Sequence, residues 1–316
     1  MQTGLIYHPD FLKHDTGHHP ENKLRLIKTI EHFRKTGILP RLFLIPFKKT
    51  TEENLLLVHT QEQINYVKNS HKQNLAYLDP DTPISEDSYE TALLAVGGVL
   101  ETVRQVSDKN IKNAFCLIRP PGHHSTPARS MGFCLFNNAS IAARYLQKYL
   151  NHQRILIIDW DAHHGNGTQE AFYDDPTVLY FSTHHYPFYP GTGSSEEKGV
   201  KNGFGYNINV PLPSGSGDSE YISAFENYLL PAVEKFKPEF ILISAGFDAH
   251  IEDPLGGMAV TNEGFKILTK IVTDIAKKYC DNKIVSLLEG GYNLKTLPQT
   301  IAVHLEELIS QNSQTF

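Results

Sequence analysis

The run Ile155-Leu-Ile-Ile-Asp-Trp-Asp-Ala-His-His-Gly-Asn-Gly167 ends an apolar stretch in carboxylates and imidazoles, where a buried strand should meet solvent. Side chains at alternate positions share one face of a strand, so Asp159, Asp161 and His163 can converge while Trp160 and Ala162 pack the other way. Carboxylate oxygen and imidazole nitrogen together suit zinc or a similar first-row ion. A catalytic zinc takes three protein ligands and leaves one position open. A capped helix start or a solvated turn carries the same residue types. The choice for a metal site comes from a second run, Phe240-Ile-Leu-Ile-Ser-Ala-Gly-Phe-Asp248, which is also apolar and also ends in an acid. Parallel sheets collect their sites at the carboxyl ends of such strands.

Two further loops carry reactive groups. Arg119-Pro-Pro-Gly-His-His124 follows the apolar run Phe115 to Ile118, and Glu289-Gly-Gly-Tyr-Asn293 follows Ile284 to Leu288. Proline fixes φ and glycine permits close backbone approach, so the first turn presents His123 and His124 rigidly. Gly290 and Gly291 clear side chains from the turn that presents Tyr292, a phenol able to donate one hydrogen bond.

Periodicity gives the elements that must position these groups. Short apolar runs at Leu5 to Tyr7, Leu42 to Ile45, Phe115 to Ile118, Ile155 to Ile158, Val178 to Phe181, Tyr206 to Val210, Phe240 to Ile243 and Ile284 to Leu288 predict strands, about eight in all. Helical patterns cover Glu21 to Lys35, Glu86 to Val106, Asn138 to Leu150, Ser219 to Phe236, Asn262 to Tyr279 and Leu297 to Ile309. The alternation predicts an α/β fold with a central, mostly parallel sheet, helices on both faces and function in the loops after the strands. With 316 residues and no composition break, Pro/Ser-rich linker or repeat, the chain 1–316 reads as a single domain.

Composition removes several classes of function. A net charge of -6 leaves no basic footprint for direct binding of nucleic acid or an anionic membrane. No apolar stretch approaches the ~20 residues that span a bilayer, and Met1-Gln-Thr-Gly4 lacks a signal-like pattern. The chain therefore reads as soluble. Cys116, Cys134 and Cys280 share no metal-type spacing and read as reduced thiols, which fits a cytoplasmic protein.

Four segments in this order, RPPGHH, DWDAHHGNGT, SAGFDAHIEDPLGG and LEGGYN, resemble the zinc-dependent histone deacetylase family, in particular its class II and bacterial deacetylase-like branch. The likeness runs from about His19 to Tyr292 and implies the arginase/deacetylase fold. By the same motifs, Asp161, His163 and Asp248 resemble the ligands of one Zn2+ per chain, and His123 and His124 the tandem catalytic histidines. Asp159 resembles the acid that bonds the first histidine. Asn166 stands where class II has a neutral partner for the second, and Tyr292 resembles the phenol that polarises the substrate carbonyl. Gly132 and Phe133 match a substrate-channel floor and one aromatic wall; Tyr189 takes the opposing wall, usually phenylalanine. Leu255 falls at the channel mouth, and Asp79 or Asp81 resembles the rim acid that binds substrate backbone. The resemblance also implies K+ or Na+ at structural sites, near Asp159, Asp161, His163 and Ser182 and near Phe172 and Tyr206. Arg25 matches the family's internal-channel arginine, although Lys23 replaces a usual proline.

The implied reaction is amide hydrolysis of an acylated protein, peptide or small-molecule substrate, with Nε-acetyl-lysine foremost. His124 would act as base and then acid, and Tyr292 as the second oxyanion contact. Two other readings compete: an acetylpolyamine amidohydrolase and a non-catalytic acyl-lysine binder. Intact His123, His124 and Tyr292 argue against the binder. Leu255 argues against the polyamine reading, because polyamine-selective members carry a glutamate there. His8, His14, His18 and His19 read as a solvated rim, and the aromatics of Tyr186 to Gly193 as channel lining. A homo-oligomer stays open.

Overall fold

The computed structural model describes residues 1–310. Its strands are β1 (Thr3–Ile6), β2 (Phe43–Leu44), β3 (Asn113–Cys116), β4 (Ile155–Asp159), β5 (Val178–His185), β6 (Asn207–Leu212), β7 (Phe240–Ala245) and β8 (Ile284–Leu288). Its helices are α1 (Leu24–Thr36), α2 (Glu52–Leu55), α3 (Gln61–Asn69), α4 (Ser88–Ser107), α5 (Asn138–Tyr149), α6 (Asn166–Phe172), α7 (Asp218–Ala224), α8 (Leu230–Phe236), α9 (Asn262–Tyr279) and α10 (Leu297–Ser310). The strands form one sheet in the order β2-β1-β3-β8-β7-β4-β5-β6, with all pairings parallel. This is the arginase/deacetylase fold.

Helices cover both faces, so the central strands are buried along their whole length: every residue of β4, β7 and β8 is buried. That is why they read as continuous apolar runs rather than alternating ones. Ile157 is 0% exposed, and Ile157→Ala would cost about 2–5 kcal/mol. Side-chain caps start the amphipathic helices that cover the sheet. Asn137 accepts from Ser140 N at 2.9 Å at α5, and Thr261 accepts from Gly264 N at 3.2 Å at α9.

The order of the sheet explains the site. Strands β3, β8, β7 and β4 are consecutive neighbours, and each is followed by one of the four motif loops. Register pairs Asp159 with Ser244 and Ala245 with Leu288, so the strand ends are level and the loops emerge side by side.

The structure departs from the sequence expectations in several places. The first long helix begins at Leu24, not Glu21, because the Glu21 side chain is drawn inward to two arginines. The strand expected over Leu42 to Ile45 is the two-residue, exposed β2. The expected helix Ser219 to Phe236 passes through a π turn at Phe225–Leu229 beside Pro231, whose ring nitrogen has no N–H for the helical ladder. His14 is not part of a solvated rim. It is 1% exposed and its Nδ1 lies 2.7 Å from Ser88 Oγ, whereas His18 is exposed. Among the described residues no helix is long and apolar enough to cross a membrane.

Candidate active site

Strand β4 ends at Asp159, so Asp161 and His163 come from the loop beyond it rather than from one strand face. They converge all the same. Asp159 Oδ1 accepts from Asp161 N at 3.2 Å, which bends the chain back, and Trp160 packs the other way, 0% exposed. Asp248 follows β7, and its Oδ1 accepts from Ala162 N at 2.8 Å, tying the two loops together. One ligand-type atom each from Asp161, His163 and Asp248 lies within 4.8 Å of the others. His163 Nδ1 is 2.9 Å from Asp248 Oδ2 and 3.2 Å from Asp161 Oδ1.

The donor set fits a cation. Burial and the neighbouring Asp161 push the Asp248 carboxyl up to about 7. Burial opposes charge on His163, but Asp161 and Asp248 more than offset it and push its pKa up to about 10. Two buried acids around one imidazole thus call for positive charge between them. Gly290 is required here, since a Cβ on it would lie 2.3 Å from Asp248 Oδ2, and its N–H donates to Asp161 Oδ2 at 2.8 Å.

His123 and His124 stand side by side, ring centroids 4.0 Å apart, in different settings. His123 Nδ1 lies 3.1 Å from Asp159 Oδ2. Burial works against its charge, but Asp159 and Asp161 push its pKa up to about 10. His124 Nδ1 lies 2.9 Å from Asn166 Oδ1, and burial together with His123 and His163 holds its pKa well below the usual value. One imidazole is therefore disposed to be charged and its neighbour neutral.

Above them opens a cavity of about 230 Å³ lined by Asp81, His124, Gly132, Phe133, His163, Phe188, Tyr189, Leu255 and Tyr292. All five expected substrate-contacting residues are among these. Gly132 has φ +56, and a Cβ there would stand 2.4 Å from the His124 ring. Phe133 and Tyr292 meet edge to face at 5.8 Å, and Tyr189 meets His124 in the same way at 5.2 Å. Burial, with Asp79 next, pushes Asp81 up to about 6.

Phe188, one of the aromatics expected to line the channel, does line it, whereas two acids of the site, Asp253 and Glu289, carry roles that the sequence did not assign. Phe188 stacks on His163 at 5.4 Å. Asp253 Oδ2 accepts from Tyr292 N at 2.6 Å and Asn293 N at 3.2 Å, fixing the phenol-bearing turn. Glu289 Oε2 accepts from Gly122 N at 2.7 Å and His123 N at 3.2 Å, which joins that turn to the histidine loop. The signal for Glu289 was an acid ending the apolar run of β8, the same signal that marked Asp248. His123, Cys134 and Glu289 also offer close donor atoms, but Glu289 is taken up by these amides and by Ser244 Oγ, and the Cys134 thiol bonds Gly132 O at 3.2 Å. Cys116, Cys134 and Cys280 are free thiols, all buried. A wider groove of about 680 Å³ lies along β6 and α8, away from all of this chemistry.

The chain belongs to the histone deacetylase family: the histone deacetylase domain model matches residues 19–308. It is 43% identical over 304 residues to a probable deacetylase of Archaeoglobus fulgidus, covering 95% of this chain and 84% of that one. It is 39% identical to histone deacetylase 15 of Arabidopsis thaliana, covering 94% of this chain and 54% of that protein. Histone deacetylase clr3 of Schizosaccharomyces pombe is 38% identical, with 98% and 48% covered. The chain thus spans about half the length of these plant and yeast relatives. The crystal structure of the HDA15 HD domain superposes with a TM-score of 0.94 at 38% identity, covering 98% of this chain and 89% of that one.

Proposed function

We propose that the protein is a zinc-dependent deacylase that hydrolyses the amide of Nε-acyl-lysine, acetyl-lysine first, in proteins or peptides. The observation that carries this reading is the convergence of Asp161, His163 and Asp248, with His163 lining a narrow cavity that also presents His124 and Tyr292. Zinc held by those three residues would polarise the amide carbonyl and increase the acidity of a water.

The chain's own residues do the rest. Phe133 and Tyr189 flank the apolar stem of the substrate lysine, and Gly132 leaves room beneath it. The Asn166 amide oxygen can only accept, so His124 carries its proton on Nδ1 and turns a bare Nε2 to the cavity. His124 takes a proton from the attacking water and later delivers it to the leaving amine. His123, paired with Asp159, places positive charge beside the developing oxyanion, and the Tyr292 hydroxyl donates to it. The products are a free amine and a carboxylate. K+ or Na+ near Asp159 and Ser182, and near Phe172 and Tyr206, is part of the same proposal.

The rival substrate class is an acetylpolyamine, favoured by the carboxylates Asp79 and Asp81 near the cavity mouth. Profiling purified protein on acyl-lysine peptides beside acetylspermidine and acetylputrescine tests the choice. A higher kcat/KM on acetyl-lysine peptide is expected, and a preference for the acetylpolyamines would replace the substrate while leaving amide hydrolysis in place.

A further inference from the structure

Glu21 is 1% exposed, and its carboxylate holds two buried guanidiniums. Oε1 accepts from Arg25 Nη1 at 3.1 Å and from Arg119 Nε; Oε2 accepts from Arg119 Nη2 at 2.7 Å. Arg25 donates Nε to the Gly291 carbonyl at 2.7 Å and Nη2 to the Glu289 carbonyl at 2.5 Å. Its guanidinium carbon lies 5.1 Å from the centroid of the Tyr292 ring. Arg119 begins the Pro-Pro-Gly turn before His123 and donates to the carbonyls of Phe11 and His14 at 3.2 and 3.1 Å. Two buried cations this close repel strongly in a low dielectric, and only a carboxylate between them makes the arrangement stable. Glu21 is that carboxylate.

We infer that Glu21 is a positioning residue: it clamps Arg25 against the Gly290–Gly291 turn and so sets the pose of Tyr292, while Arg119 anchors the clamp to the histidine loop. The turn bears no side chains of its own before Tyr292, so its shape is set by what grips its carbonyls and amides. Misplacing a donor by ~1 Å is enough to cost on the order of 100-fold in rate. The inference rests on Tyr292 as the oxyanion donor of the proposed hydrolase.

Glu21→Gln keeps the side-chain shape and removes the charge. Its kcat should fall about 30-fold with KM within about twofold of wild type. Combined with Tyr292→Phe, the same substitution should cost less than about threefold, because its target is already gone. An equal loss in both backgrounds would overturn the inference. Amide hydrogen exchange gives a readout independent of turnover. Gly290, Tyr292 and Asn293 should exchange faster in Glu21→Gln, while the amides of β4 and β7 keep their wild-type rates. No change at that turn, or equal acceleration across the sheet, overturns the clamp even if the wild type hydrolyses none of the amides tried; that second failure belongs to the functional reading alone. If Glu21→Gln does not fold, Glu21→Asp retains the charge one methylene short and should show the same selective exchange with about fivefold lower kcat. Wild-type exchange and kcat in that variant would contradict it.

Discussion

His124 Nδ1 lies 2.9 Å from Asn166 Oδ1, whereas the adjacent His123 Nδ1 faces the Asp159 carboxylate at 3.1 Å. The two imidazoles are thereby given opposite tasks by their partners. Asn166→Asp would place a carboxylate beside His124 and raise its pKa, because a negative neighbour favours imidazolium. A base with a raised pKa stays protonated to higher pH, so the acid limb of kcat/KM should move up by about one pH unit. A pH–rate profile with an unmoved acid limb would show that His124 is not the base.

Tyr292→Phe removes a donor aimed at charge that develops only in the transition state, so kcat should fall by ~100-fold or more. Hydroxamate inhibitors, which bind the metal directly, should still bind. His124→Ala should be at least as damaging. Steady-state kinetics with acetyl-lysine peptide, run beside inhibitor titration, checks both; near wild-type kcat in either variant means the role was assigned to the wrong group.

At the cavity mouth, Leu255 supplies no counter-charge for a second amine several ångströms from the scissile amide. The expected kcat/KM for acetyl-lysine peptide exceeds that for acetylspermidine by about tenfold or more. Leu255→Glu should narrow the ratio by improving the polyamine, not by harming the peptide. A ratio unchanged by the substitution would place the selectivity elsewhere.

Three histidines buried outside the cavity should cost stability on the acid side. Burial depresses the pKa of His14 and His304 to about 3 and of His59 to about 4. Each is neutral when folded and takes up a proton on unfolding once the pH drops below the ordinary ~6.5. Their contribution to stability is thus complete above that value and is lost as pH falls towards 4, by up to ~1.4 kcal/mol per pH unit for each histidine. Urea unfolding of the metal-loaded protein between pH 7 and 4.5 measures it. The raised carboxyls of Asp81 and Asp248 act in the opposite sense over this range, so the readout is the difference from His304→Gln, whose profile should be shallower on the acid side; an unchanged slope would contradict the prediction.

Much of the site was legible because its chemistry sits at strand ends. An apolar run ending in Asp, as in Ile155 to Asp159 and Phe240 to Asp248, marks both the strand and the point where it meets function. The eight-stranded parallel sheet followed from the same runs. The order of strands did not, because periodicity says nothing of which neighbours pair. The inward role of Glu21 is hidden for a related reason. A charged residue near the surface-like start of a helix reads as solvated, and only the tertiary fold shows that Glu21 points inward between Arg25 and Arg119. His14 reads as solvated because its histidine-crowded loop lies away from any strand end, and only the fold brings Ser88 against it. The helix break at Pro231 was passed over because the apolar pattern on either side continues in phase.

Metal content and acetate release, titrated together in protein first stripped with a chelator, bear most directly on whether one zinc ion at Asp161, His163 and Asp248 drives amide hydrolysis. Turnover of acetyl-lysine peptide should be absent in the stripped protein, rise with added zinc and saturate at one ion bound per chain. Asp248→Asn, which keeps an oxygen for Ala162 N, should fold but neither hold the ion nor turn over. Full turnover in the stripped protein, or in Asp248→Asn without bound metal, would contradict it.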